Sequence, residues 1–74
     1  MEDRIKNVMG SILTIDPESI DENSSMDTIN FWDSLAQINL VFALEKEFGL
    51  NLSVDEIVTM TSYRGIVGVV AGHL

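Results

Sequence analysis

The residue best suited to chemistry is Ser34, which follows Asp33 where an apolar helix is predicted to begin. A serine hydroxyl attacks a substrate unaided only when an oriented base lies beside it. The only histidine, His73, lies next to the C-terminus, and a position near the negative end of a helix is typical of an exposed residue. The sequence therefore disfavours a Ser-His-Asp hydrolase and predicts no catalytic residue.

The pair Asp33 and Ser34 has two interpretations. The simpler one is a helix cap followed by a first-turn residue. The other follows from the unpaired backbone N–H groups and the positive dipole end of a helix, which favour a phosphate held on the Ser34 oxygen. Both interpretations remain open on these residues alone.

The acidic segment 21–27 is a candidate for calcium binding, because its oxygen-bearing side chains alternate as EF-hand ligands do. The match then fails, since Met26 stands where the loop needs glycine and Trp32 where it needs a bidentate glutamate. We expect no metal site and a solvated surface instead. The chain has no cysteine, which excludes disulfides, a thiol nucleophile and cysteine-based metal sites.

Length and charge limit the remaining function classes. A chain of 74 residues predicts one domain over residues 1–74, with little room for a deep substrate pocket. Twelve acidic residues against four basic ones give a net charge of −8, which disfavours nucleic acid and anionic membranes and favours basic protein partners. No stretch approaches the roughly 18 apolar residues of a membrane span. We expect a monomeric cytoplasmic protein that begins at Met1.

The first half of the chain predicts one helix and a long loop. Helix one is expected over residues 2–13, where the apolar residues have the spacing of one helix face: Ile5, Val8, Met9, Ile12 and Leu13. The loop that follows, to Asp33, is long enough to predict some structure, and Asp16-Pro17 fits the start of a short helical turn. Four apolar residues are expected to hold this loop to the core: Ile20, Met26, Ile29 and Phe31.

The second half predicts three more helices. Helix two begins at Asp33 or Ser34, runs through Phe48 and stops at Gly49. Residues 53–56 fit a capping box that opens a short helix through about Thr59. Thr61 or Ser62 caps the last helix, whose apolar stripe is formed by Tyr63, Ile66, Val67, Val70 and Leu74. The fold class is therefore all-α: a small four-helix bundle of three main helices and a short third one.

Helix two is more apolar than a core requires. One side carries the predicted core residues Leu40, Val41, Leu44 and Phe48. Leu35, Ile38 and Phe42 widen the apolar arc to roughly 220°, beyond the ~100° that a surface helix needs. We expect part of this arc to remain exposed as a docking face. The alternative is that helix two is central and buried on most sides.

Three segments together resemble the acyl carrier protein family: Asp33-Ser34-Leu35, the run from Leu40 to Leu50, and Val54-Asp55-Glu56-Ile57. The resemblance covers nearly the whole chain. It implies that a phosphopantetheinyl transferase uses coenzyme A to attach 4′-phosphopantetheine to Ser34, with Asp33 completing the recognition motif. The thiol of that arm would carry acyl groups as thioesters, so the protein would be a non-catalytic carrier.

The resemblance also implies a partner surface. Leu35, Ile38 and Phe42 match positions that face partner enzymes, such as acyl-transferring or acyl-activating ones, and Glu45 matches an acidic partner contact.

The chain departs from the family pattern around this surface. Ala36, Asn39 and Lys46 stand where many fatty-acid carriers have acidic residues, which predicts a more apolar face. We therefore expect a specialised, stand-alone acyl or aminoacyl carrier in fatty acid, polyketide or related biosynthesis. Trp32, before the motif, is either a core anchor or an exposed contact. The alternative function is an unmodified helical interaction module that uses the same apolar face of helix two.

Overall fold

The computed structural model describes residues 1–74 as four α-helices and one 3-10 turn, without strands. The helices are α1 (Glu2–Leu13), α2 (Ser34–Phe48), α3 (Val54–Ile57) and α4 (Tyr63–His73), and the 3-10 turn at Pro17–Ser19 lies in the long first connection. The predicted fold class, a small all-α bundle with a short third helix, is confirmed. None of the four helices combines the length and apolar character needed to span a bilayer.

The helix ends follow the local capping residues. The Asp16 carboxylate accepts a hydrogen bond from the Glu18 N–H at 2.9 Å and starts the 3-10 turn. Gly49 ends α2 in the left-handed conformation, with φ of 67°, which glycine adopts without steric strain. The capping box before α3 is present, but α3 ends at Ile57 and not near Thr59 as predicted. Ser62 caps α4, which decides between the two predicted caps.

The core lies between α1, α2 and α4 and is closed by three residues from the connections. The helices contribute Ile5, Met9, Leu13, Leu40, Leu44, Tyr63, Ile66 and Val70, and the connections contribute Ile20, Trp32 and Met60. α1 packs mainly against α2. The burial of this apolar surface stabilises the short helices, which would be marginal in isolation.

One predicted core residue and the last residue of the predicted α4 stripe are exposed. Ile20 is buried, and Met26 and Ile29 pack against the core as predicted, but Phe31 faces solvent. The next residue, Trp32, fills the core position with a larger ring, and its neighbour is directed outward. Leu74 is also exposed, because α4 ends at His73 before the apolar stripe reaches the last residue.

Polar side chains join α1 to the helices around it. Arg4 Nε donates to Glu47 Oε2 at 2.9 Å, and its guanidinium lies 4.5 Å from the centre of the Phe48 ring. The Tyr63 hydroxyl donates to Glu2 Oε1 at 2.7 Å. Burial, followed by this hydrogen bond to Glu2, raises the pKa of Tyr63 above its ordinary value. These contacts hold α1 against both α2 and α4.

One glycine of α4 permits a close approach between segments. A Cβ atom at Gly65 would collide with the carbonyl oxygen of Thr59, so the start of α4 packs directly on the backbone that follows α3. Gly68 and Gly72 meet nothing within 4 Å and have no such packing reason. The connection between α3 and α4 is therefore fixed by backbone contact at its N-terminal side.

Candidate functional site

Asp33 starts α2 as its N-cap residue. Its carboxylate Oδ1 accepts a hydrogen bond from the Ala36 N–H at 2.9 Å, and its carbonyl oxygen accepts from the Gln37 N–H at 2.9 Å. One orphan donor of the first turn, the Ala36 N–H, is thereby paired, and the bond from the Gln37 N–H is the first within the helix. Ser34 is consequently the first residue of the helix, which decides between the two predicted starts, Asp33 and Ser34.

The Ser34 side chain is exposed and makes no hydrogen bond within the protein. The backbone N–H groups of Ser34 and Leu35 also donate to no protein acceptor. Together with the positive end of the α2 dipole, these two free donors favour an anion beside the Ser34 hydroxyl. The donor set therefore fits a phosphodiester on Ser34 Oγ, with the oxygen open to a second protein.

Trp32 and Gln37 lie beneath this exposed turn. Trp32 is 2% exposed, which confirms the interpretation of this residue as a core anchor. Its indole N–H donates to Gln37 Oε1 at 2.7 Å, and Gln37 Nε2 donates to the Met60 carbonyl oxygen at 3.0 Å. Sequence reasoning missed Gln37, although a polar residue on the core side of an apolar helix was an available indication.

The outer face of α2 is apolar, as the wide arc predicted. The exposed fractions are 68% for Leu35, 53% for Ile38 and 64% for Phe42, whereas Leu40, Val41 and Leu44 are buried on the other side. This result contradicts the alternative in which α2 is buried on most sides. We call the surface formed by Leu35, Ile38, Asn39, Phe42 and Lys46 the outer α2 face, since at 100° per residue all five share one side of the helix.

Both acidic residues of α2 are engaged elsewhere. Glu45 Oε2 accepts a hydrogen bond from the Leu52 N–H at 2.8 Å and closes the turn after the helix. Glu47 is paired with Arg4 on α1. The outer α2 face therefore carries one cation, Lys46, and no acidic residue, although the protein as a whole is strongly acidic.

A comparison with known protein families identifies the class of this arrangement. A family model described as "Phosphopantetheine attachment site" matches residues 3–70. The chain belongs to this family. It is a carrier domain for covalently bound 4′-phosphopantetheine, which confirms both the resemblance and the predicted cofactor. Domains of this family are not themselves catalytic and interact with partner enzymes.

His73 of the carrier domain pairs with Glu56 instead of approaching the Ser34 site. Its Nε2 lies 2.7 Å from Glu56 Oε2 and connects the end of α4 to α3. The Ser53 N–H, which donates to the Glu56 carboxylate at 3.0 Å, is the main cause that lowers the Glu56 pKa, and His73 lowers it further. The sequence predicted an exposed His73 but not this partner.

The largest clefts of the carrier domain lie away from the serine. One of about 590 Å³ is formed between α1 and α2, around Arg4 and Lys46, and one of about 490 Å³ lies in the first connection beside Phe31. Neither is lined by Asp33 or Ser34. The structure groups no three histidine, aspartate or glutamate side chains in a way that could hold a metal ion. The candidate site is thus a surface turn.

Proposed function

We propose that this carrier domain holds its 4′-phosphopantetheine on Ser34 and carries acyl or aminoacyl groups as thioesters. The observation that supports this most is an exposed, unbonded hydroxyl at the first residue of α2, next to two free backbone N–H groups. Several other hydroxyl-bearing residues of the domain are bonded within local turns; Ser24, for example, is buried and bonded to Asp21. Ser34 makes no hydrogen bond and lies at the N-terminal, positive end of the long helix α2.

In the proposed modification, Ser34 supplies an oxygen and a transferase supplies the catalysis. Ser34 Oγ loses its proton and forms a bond to a phosphorus of coenzyme A, and the adenosine bisphosphate half of coenzyme A leaves. Asp33 fixes the start of the helix and, by family resemblance, completes the motif that the transferase recognises. The free N–H groups of Ser34 and Leu35 stabilise the phosphodiester charge. The arm supplies the thiol that this cysteine-free chain lacks.

We further propose the outer α2 face as the surface that contacts partner enzymes. Leu35, Ile38 and Phe42 supply apolar contact area along the helix that begins at Ser34. Glu45 is a partner contact only through the carboxylate oxygen that does not bond to Leu52. Acidic residues outside α2 increase the rate of encounter with basic partners at long range, while the contact itself is mainly apolar.

The apolar character of this face, which has no acidic residue, supports a specialised role. We propose a monomeric, cytoplasmic carrier comprising residues 1–74, which serves fatty acid, polyketide or related specialised biosynthesis. The transferase and the acyl-transferring or acyl-activating enzymes are its protein partners.

Intact-mass spectrometry after incubation with coenzyme A and a broad-specificity transferase tests the attachment. The wild-type chain gains one phosphopantetheine, Ser34→Ala gains none, and Ser11→Ala, a matched change of an exposed serine on α1, gains one. No gain in the wild type with several active transferases contradicts the proposal.

The alternative function, an unmodified interaction module, is favoured by one observation: the outer α2 face is exposed in the chain without any attached group. In that case Ser34→Ala retains full function in the source cell, whereas a carrier loses it. A small hydrolase would turn over activated esters without a cofactor, and the pairing of His73 with Glu56 opposes that role.

A further inference from the structure

One buried and one half-buried side chain flank the exposed turn around Ser34. Trp32 precedes the turn and Gln37 follows it, and the two are joined by the 2.7 Å hydrogen bond from the indole N–H to Gln37 Oε1. We call the segment 33–36 the serine turn; the hydrogen bond between Trp32 and Gln37 joins its two ends on the side that faces the core. Ser34 and Leu35 lie on the outer side of the serine turn and face solvent.

Gln37 also joins the serine turn to the end of α3 and the connection that follows it. Gln37 Nε2 donates to the Met60 carbonyl oxygen at 3.0 Å and lies 3.5 Å from that of Ile57. Met60 is fully buried, and its own N–H donates to the Ile57 carbonyl oxygen at 3.0 Å. Because Gly65 packs against the neighbouring Thr59 carbonyl, this anchor has little freedom to move.

The network needs a side chain at position 37 that both accepts and donates a hydrogen bond. The indole N–H of Trp32 can only donate a hydrogen bond, and the Met60 carbonyl oxygen can only accept one. A side chain that joins them must accept on one atom and donate on another, which glutamine does and a carboxylate or a thioether does not. No buried side-chain nitrogen or oxygen of the protein lacks a partner, so the network is complete.

We propose that Trp32 and Gln37 are positioning residues that hold the Ser34 turn in the geometry that the transferase modifies. This inference rests on the proposed attachment at Ser34. The serine side chain has no contact of its own to fix it, and the first turn of an unsupported helix frays. Phosphoryl transfer needs the attacking oxygen in line with the leaving group, so a loose turn lowers the rate without removing the docking surface.

Gln37→Met tests the inference, because it keeps the length of the side chain and removes both hydrogen bonds. With coenzyme A and a broad-specificity transferase, we expect kcat for modification to fall about tenfold or more, while KM for the carrier changes less than about threefold. Helix content by circular dichroism stays native, and amide exchange at Ala36 becomes faster. Asn7→Met, at an exposed amide on α1 that lies outside the outer α2 face, leaves all four measurements unchanged.

Trp32→Phe provides a second, independent variant that removes the indole N–H and retains an aromatic ring. The two changes break the same link, so the double variant is no slower than the slower single one, whereas independent effects would multiply. A kcat within about twofold of the wild type in a natively folded Gln37→Met overturns the inference. So do multiplying effects, or loss of helix content in both single variants. If the wild type itself is never modified, the proposed function fails instead.

Discussion

Ser34 and Trp32 are two positions apart and have opposite environments. The serine hydroxyl faces water without a partner, while the tryptophan ring is buried and bonded to Gln37. The change of direction occurs at Asp33, whose extended backbone and capping carboxylate end the loop and start the helix. One cap residue thus separates a chemically accessible position from a structural one.

The two roles proposed for Asp33 are separable by substitution. Asp33→Ala removes the acceptor for the Ala36 N–H and should lower the free energy of unfolding by about 1 kcal/mol. For a domain of this size that is a fall in Tm of about 4–8 °C. Asp33→Asn retains a capping oxygen, so at high salt, where the charge-dipole contribution is screened, its Tm stays close to that of the wild type.

Modification by the transferase, unlike Tm, should be impaired in both variants. Both Asp33→Ala and Asp33→Asn lose the negative charge of the recognition motif, so both are modified more slowly than the wild type in the intact-mass assay. Equal Tm losses in the two variants would show that the side chain does not act as a cap.

Glu56 makes the free energy of unfolding depend on pH. Its pKa is lowered from the ordinary value of 4.5, mainly by the hydrogen bond from the Ser53 N–H, so the ionised carboxylate stabilises the folded state. This stabilisation is present above about pH 4.5 and is lost as the pH falls through the lowered pKa. Urea unfolding should therefore show Glu56→Gln to be less stable than the wild type at neutral pH.

At about pH 3 the difference between Glu56→Gln and the wild type should be much smaller. Asp55→Asn is the control, since this neighbouring carboxylate is exposed and bonded to no other group. The same difference at both pH values would mean that Glu56 stabilises the protein by packing alone.

At the scale of elements, α2 has two apolar sides with different functions. Its inner side is buried in the core, and its outer face is half to two-thirds exposed. Residue periodicity predicted the width of the apolar arc and its core side, but it left open whether the rest of the arc was exposed or covered, because both sides consist of similar residues. The assignment comes from α1, which packs on the side of Leu40 and Leu44.

A pair of substitutions on α2 tests this assignment. Leu44→Ala removes a fully buried side chain and should lower the free energy of unfolding by about 2–5 kcal/mol. Ile38→Ala should change it by less than about 0.5 kcal/mol, because the side chain is exposed and alanine favours a helix. Turnover by a partner enzyme should fall in Ile38→Ala. A collapse of the fold in Ile38→Ala would place the outer face in the core.

Helix boundaries were predictable where a cap residue marks them, as at Gly49 and in the box from Ser53 to Glu56. The predictions for Phe31 and Leu74 were wrong, because apolar character alone does not determine which of several candidates reaches the core. Gln37, which is bonded to Trp32, also donates to the Met60 carbonyl oxygen, 23 positions later in the chain. No local pattern encodes such a contact.

At the scale of the whole molecule, the charge of −8 is unevenly placed. The acidic residues lie at the start of α1, in the first connection and on α3, while those of α2 are bonded to Leu52 and Arg4. The net charge alone predicted a basic partner, and it describes the long-range field. It does not describe the outer α2 face, where the local contact is apolar with a single lysine.

Self-repulsion of this charge should make the stability depend on salt. The radius of gyration is 10.8 Å, similar to the screening length of about 10 Å at 0.1 M salt. Added salt therefore weakens repulsion across the whole molecule, and Tm should rise. Millimolar magnesium chloride is compared with sodium chloride at equal ionic strength, so that screening is separated from ion binding. An unchanged or lower Tm in both salts contradicts this expectation.

The most direct test of the central proposal locates the attached group in the chain. After incubation with coenzyme A and a transferase, the protein is digested and the modified peptide is sequenced by tandem mass spectrometry. We predict that the fragment ions place one phosphopantetheine on Ser34 and on no other serine or threonine. A phosphopantetheine found on any other residue would contradict the assignment.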